Sequence, residues 1–81
     1  MAVQESVVVT DEDGEQRPFT RRVVRDAMNR LESFRTTGTA SGVFRGEDGE
    51  TRIRMGADQM GTERVVRESA LVRASQKLGA Y

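Results

Sequence analysis

The tetrapeptide EDGE occurs twice in the chain, at residues 12–15 and 47–50, and short strand-like segments flank each copy. Acidic residues followed by Gly are typical of tight hairpin turns, because Asp and Gly tolerate the backbone angles that such turns need. A segment with helical character follows each hairpin and contains RVVR, at residues 22–25 and 64–67. The sequence therefore predicts the element order ββαββα.

The first predicted hairpin joins the β-branched run Val7–Val9 to a brief strand over residues 15–17. Pro18 lacks a backbone N–H, so the brief strand either ends there or lies at the edge of a sheet. The second hairpin is predicted over residues 40–55.

The return strand of the second hairpin alternates in character. Thr51, Ile53 and Met55 have one parity, and Arg52 and Arg54 have the other. This period of two is typical of a half-buried antiparallel strand with a solvated outer face.

The first helix is predicted over residues 21–34, with Thr20 as its N-cap. At about 100° per residue its apolar side chains fill a single arc, which indicates an amphipathic helix packed on the core. The second helix is predicted from near Thr62, or from Asp58, to Leu78.

The wheel of the second helix has one broad apolar face and, nearly opposite, the pair Val65 and Val72. We therefore expect this helix to contact the core on one side and a second chain on the other. The predicted core consists of Val24, Ala27, Met28, Leu31, Ile53, Met55, Val66, Ala70 and Leu78.

These elements predict a single α+β domain over residues 1–81: an antiparallel sheet of two hairpins with two amphipathic helices on one face. The repeated pattern allows an internal duplication of ββα units, 3–35 and 40–79. The other interpretation is coincidence, since EDGE is an ordinary turn sequence in a chain rich in Arg and Glu.

Composition limits the chemistry of the chain. Its 81 residues include no Cys and no His, and 36% are hydrophobic. Disulfides and most zinc, haem and iron–sulfur sites are thereby excluded. A core this thin favours oligomerisation or docking on a larger partner. No apolar run approaches membrane-spanning length, so we expect a cytoplasmic protein without a membrane partner.

Catalysis is not expected, and neither is a cofactor or a metal. Without His or Cys, few side chains remain that could act as nucleophile or as acid and base. Ser75 and Lys77 are two positions apart on a helix, so they point in different directions. The acidic cluster at residues 11–15 lacks the ligand spacing of an EF-hand and is interpreted as a solvated turn.

Charge is unevenly distributed along the chain. Residues 1–16 carry a net charge of −5, residues 17–35 +4, residues 36–50 −2 and residues 51–81 +3. One interpretation is neutralisation within the chain. The other is that acidic tips, including Asp11, Glu12 and Asp13, contact basic faces of another copy in a ring or filament.

Nucleic acid is the alternative partner, because Arg suits bidentate contacts with phosphates and bases. The overall charge of zero and the pI of about 6.3 argue against this interpretation. The candidate residues are Arg17, Arg21, Arg22, Arg25, Arg52 and Arg54.

From Val24 to Leu78, the predicted order of helix, two-stranded hairpin with the apex GEDGET, and helix resembles lambda-type phage head–tail joining proteins. The strands before Thr20 depart from that pattern. The resemblance implies a short assembly component that packs into a ring at the portal.

The sequence thus favours a non-catalytic protein-binding or assembly module, acting through self-association or by docking on a larger complex. Its expected interface residues are Val65, Val72, Asp11, Glu12 and Asp13. The alternatives are a nucleic-acid-binding protein and a small inhibitor or regulator of a larger machine.

Overall fold

The computed structural model describes residues 5–55 and 63–79, and its elements follow the order ββαβββα. The predicted α+β class and the two hairpins and two helices are confirmed, with one further strand before the last helix. The elements are β1 (Ser6–Thr10), β2 (Gln16–Thr20), α1 (Arg21–Thr37), β3 (Val43–Arg45), β4 (Thr51–Met55), β5 (Arg64–Arg67) and α2 (Glu68–Leu78).

Both EDGE stretches form hairpin turns with the same hydrogen-bond pattern. In the turn at residues 11–15, the first residue donates its N–H to the carbonyl of the fifth over 2.8 Å, and the fourth donates to the first over 3.0 Å. The turn at residues 46–50 repeats these bonds at 2.9 and 3.0 Å. Gly14 and Gly49 have φ angles of 83° and 88°, in the left-handed region that glycine adopts without steric cost. The turns are therefore locally encoded.

The described strands form two antiparallel sheets, where the sequence predicted one sheet made of both hairpins. One is the two-stranded sheet β1–β2, and the other has the order β3–β4–β5, with Val43, Ile53 and Val66 aligned across it. The tip of the first hairpin meets the second sheet, because the Glu12 N–H donates to the Val65 carbonyl over 2.8 Å.

Helix α1 begins where its sequence predicts. The Thr20 hydroxyl accepts from the Val23 N–H over 3.3 Å, as an N-cap does. At the other end Gly38 has a φ of 84°, and its N–H donates to the Phe34 carbonyl over 2.9 Å.

The predicted start of the second helix is wrong. Residues 64–67 form β5, which pairs with β4, and α2 begins only at Glu68. The proposed caps Asp58 and Thr62 lie outside the described residues. Between the helices the described residues consequently form three strands, one more than in the layout that resembled head–tail joining proteins.

The two helices run antiparallel. Arg35, near the end of α1, bonds to Glu68 at the start of α2, and Arg21, at the start of α1, donates to the carbonyl of Leu78 over 2.6 Å. Both ends of each helix are thereby bonded to the other helix.

The core lies where the helices meet both sheets. Six of the nine predicted core residues are buried, and Met28, Ala70 and Leu78 are partly buried against them. The buried hydrophobic residues are Val9, Phe19, Val24, Ala27, Leu31, Val43, Ile53, Met55, Val66, Leu71 and Ala74.

Candidate functional site

Both EDGE turns converge on the side chain of Arg52. Its Nε donates to Glu12 Oε1 over 2.6 Å, while Nη1 and Nη2 donate to the two carboxylate oxygens of Asp48 over 2.7 and 2.9 Å. Only 8% of this side chain is exposed. The predicted solvated outer face is therefore wrong at Arg52, because the two turns close over it. Arg54 is exposed and lies over the Phe44 ring, with its guanidinium carbon 5.5 Å from the ring centroid.

Glu50, the last residue of the second EDGE, links this cluster to α2. Its carboxylate accepts from the Ser69 hydroxyl over 2.7 Å, from the Ser69 N–H over 3.1 Å and from Arg67 over 2.8 Å. Because the N-cap residue Arg67 makes no side-chain cap, Glu50 satisfies one of the N–H groups that a helix start leaves unpaired.

The cluster is held in its charged form. Hydrogen bonds from Arg52 hold the pKa of Asp48 well below its usual range, and those from Ser69, with Arg67, lower the pKa of Glu50. The same contacts with Asp48 and Glu12 raise the pKa of Arg52. The cluster joins the two EDGE turns, strands β4 and β5 and the start of α2, and most of its charge is neutralised within it.

The acidic tip that was expected to meet a second copy is mainly used within the chain. Asp11 is buried, and its Oδ1 accepts from the N–H groups of Asp13 and Glu15, each over 2.9 Å. Its Oδ2 lies 3.8 Å from Nε of Arg64. Glu12 contacts Arg52, so Asp13 is the member of the predicted trio that keeps an exposed side chain without an ion pair among the described residues. Intramolecular neutralisation accounts for the other two.

Two of the candidate arginines near α1 bond to neighbouring groups. Arg17 donates to Glu15 over 2.9 Å, and Arg21 bonds to the Glu5 carboxylate as well as to the end of α2.

Arg22 and Arg25 differ from these two. Both are exposed, and within residues 5–55 and 63–79 neither has a carboxylate partner. They flank an open depression of about 500 Å³ at the start of α1. Of the arginines near the first helix that were predicted to contact nucleic acid, these two remain available for such contacts.

The premise that Val65 and Val72 share the back of one helix is wrong. Val65 belongs to β5, where it pairs with Arg54, and Val72 lies in α2. Val72 is half-buried and lines a depression with Glu50 and Ser69, which Val65 does not line. The two valines therefore do not form one patch.

Strand β1 presents an edge that sequence reasoning did not identify. Residue pairs 11–15 and 5–21, at the two ends of the hairpin, are hydrogen-bonded. Because such pairs alternate in antiparallel strands, Ser6, Val8 and Thr10 point their main-chain N–H and C=O groups away from β2. Among the described residues no other strand pairs with these groups. We call this row the β1 edge.

Strand β1 also carries an exposed apolar side chain. Val8 is 55% exposed and is the one large hydrophobic side chain that is exposed in the described part of the chain. The signal for it was present in the sequence, since Val8 has the opposite parity to Val7 and Val9, which face the core.

A cleft of about 130 Å³ separates β1 from one face of α2. Ala70 and Ala74 form its apolar helical side, and Arg73 and Lys77 provide two cations. Both cations are exposed, and neither has an acidic partner among the residues that the structure describes. The β1 edge and a helix face with two cations that no described carboxylate pairs with therefore lie side by side.

Ser75 is buried and Lys77 is exposed, so the two point to different environments. Within residues 5–55 and 63–79 no cluster of acidic residues is arranged to hold a metal ion, and no helix is long and apolar enough to span a membrane.

No protein-family model matches the chain, and neither a curated protein nor a solved structure is significantly similar to it.

Proposed function

We propose that this chain is a non-catalytic protein-binding module that docks on a larger complex through the β1 edge. The observation that carries the proposal is the exposure of Val8, at 55%, on a strand whose outward main-chain groups no described strand covers. Exposed strand edges are usually shortened, charged or covered, because they pair readily with other chains. An exposed valine on an edge that no described strand covers is best explained by a partner that covers it.

The charge pattern no longer favours head-to-tail self-association as the main mode. Glu12, Asp48 and Glu50 are bonded to arginines of the same chain. An acidic tip already neutralised in this way gives little attraction to a second copy. Docking on a different protein is thus the better explanation, and it includes the case of a small inhibitor or regulator of a larger machine.

A site-specific photo-crosslinker tests this proposal. We would place it at Val8 and, as a control, at Asn29, which is exposed on α1. Irradiation in an extract of the source organism should give one discrete protein adduct from position 8 and none from position 29. Nuclease-sensitive adducts, or no adduct from position 8, would contradict the proposal.

Nucleic-acid binding is the second candidate, and the exposed pair Arg22 and Arg25 favours it. Its electrostatic part should weaken with salt, because the Debye length falls to about 8 Å at 0.15 M. If the protein binds duplex DNA at about 0.15 M salt and Arg22→Glu with Arg25→Glu abolishes that binding, this second function replaces the first. The control variant is Arg45→Glu, at an exposed arginine of β3, and it should leave DNA binding unchanged.

A cytoplasmic location belongs to the same proposal. The chain has no cysteine, which fits a reducing compartment. Fractionation of cells that express a tagged chain would test it, and recovery with membranes or medium would contradict it.

A further inference from the structure

We infer that the occupant of the β1 edge is an extended, acidic segment of a partner protein, which adds to β1 as a further strand. The inference rests on the proposed function and deepens it by naming the chemistry of the partner. An added strand gains affinity from main-chain hydrogen bonds and specificity from alternate side chains.

The backbone of β1 is suited to strand addition. Ser6, Val8 and Thr10 each direct one N–H and one C=O outward, so an added strand could bond at three successive positions of the same parity. β1 contains no proline or charged residue, which are the usual devices that block an edge.

The other strand edges in the described part of the chain are less suited. β2 carries Pro18 opposite Val8, in a pair that is not hydrogen-bonded, so the missing N–H of Pro18 lies on the outer side of β2. β3 has three residues only. The outer side of β5 is engaged at Val65, whose carbonyl accepts from Glu12. Strand addition is therefore expected at β1.

The helix beside the edge determines which side chains the segment should carry. Positions 70, 73, 74 and 77 follow the i, i+3, i+4, i+7 spacing of one helix face and line the cleft next to β1. Ala70 and Ala74 leave room for a small apolar side chain. Arg73 and Lys77 have no acidic partner among the described residues, so carboxylates of the segment would neutralise them. Alternating apolar and acidic residues fit both.

A second copy of this chain fits the edge less well. Antiparallel pairing of two β1 strands about a twofold axis would place Val8 opposite its counterpart and would put α2 of each copy beside the seam. Arg73 and Lys77 of one copy would then approach those of the other, and the like charges would repel. Charge complementarity selects an acidic partner.

The probe is a fluorescent synthetic peptide of eight residues that alternates valine and glutamate. Two matched peptides serve as controls: one has lysine in place of glutamate, and the other is N-methylated at alternate amides, which removes the donors for strand addition. Binding is measured by fluorescence anisotropy, and the amides that shift are identified by two-dimensional NMR.

We expect the glutamate peptide to bind and to shift the amides of Ser6, Val8 and Thr10, whereas neither control peptide binds. Affinity should fall as salt rises from about 0.02 M to about 0.15 M, since the charge contribution is screened. Arg73→Glu combined with Lys77→Glu should abolish binding, whereas Arg22→Glu combined with Arg25→Glu should leave it unchanged.

Val8→Pro removes one outward N–H without removing a bond to β2, so the affinity should fall by about fivefold or more. Val8→Thr keeps the N–H and a β-branched shape, and it should lose less. The N-methylated peptide makes the same test on the unaltered protein, in case the proline variant is destabilised.

Three results would overturn the inference. The first is equal affinity for the glutamate, lysine and N-methylated peptides, or no binding of the glutamate peptide at millimolar concentration. The second is amide shifts confined to other elements. The third is a dimer in sedimentation that Val8→Pro dissolves, which would make a second copy the occupant. A protein crosslink at position 8 together with failure of the peptide would preserve the proposed function and reject only this inference.

Discussion

Replacing Leu31 by alanine should remove a large part of the stability of the fold. The Leu31 side chain is 1% exposed and belongs to the same core cluster as Val24, Ala27 and Ile53. The change deletes three buried carbon atoms, at about 0.8 kcal/mol each, and leaves a cavity that adds to the loss. We expect a decrease of about 3–4 kcal/mol in the free energy of unfolding, out of about 4–12 kcal/mol for a domain of this size. The melting temperature should drop by about 12–30 °C.

Urea denaturation followed by circular dichroism measures this loss, with the slope against urea expected to stay unchanged. Two residues of the same helix provide matched controls. Met28 was predicted to be core but is only partly buried, so Met28→Ala should cost less than Leu31→Ala. Asn29 is exposed, and Asn29→Ala should change stability by less than about 0.5 kcal/mol. A loss below about 0.5 kcal/mol for Leu31→Ala would refute the assigned face of α1.

Three further variants test the remaining contacts. Asp48→Asn should destabilise the fold at neutral pH: the pKa of Asp48 is lowered in the folded state, so its contribution is present above the unfolded pKa of about 4 and lost as pH falls below it. A deficit that does not shrink in urea titrations below about pH 4 would contradict this reasoning. Asp11→Ala leaves two turn N–H groups without their acceptor, so the free energy of unfolding, measured by urea titration, should fall by about 1–2 kcal/mol. Asp13 is exposed, and Asp13→Ala should leave that free energy nearly unchanged. Equal losses for the two variants would show that the Asp11 carboxylate does not hold the turn. Val72→Asp should keep the far-UV spectrum, because Val72 is half-buried at a depression, and should weaken any association that uses that surface; an unfolded variant would make Val72 a core residue.

The candidate site shows where pattern reasoning succeeds and where it stops. Alternation in β4 correctly separates Arg52 and Arg54 from Ile53, which faces the core. It cannot tell that Arg52 is covered, because Glu12, one of the two carboxylates that cover it, lies 40 residues away in the chain. The β1 edge was missed for a related reason. The sequence places Val8 in a strand but does not show which other strands pair with it. The pairing of β1 with β2 alone among the described strands, and the position of α2 beside β1, decide that Val8 lies on an edge.

The repeated tetrapeptides separate what the sequence determines from what the tertiary structure decides. EDGE forms the same turn twice, because the hydrogen bonds of the turn and the left-handed glycine lie within five consecutive residues. RVVR is helical at residues 22–25 and a strand at residues 64–67, so the two halves do not correspond there, and the duplication stays a prediction. The first copy follows a capping threonine and continues a long amphipathic period. The valines of the second copy are β-branched and are compatible with either conformation. They lie beside the main-chain groups of β4 that β3 does not use, and pairing with those groups selects the strand.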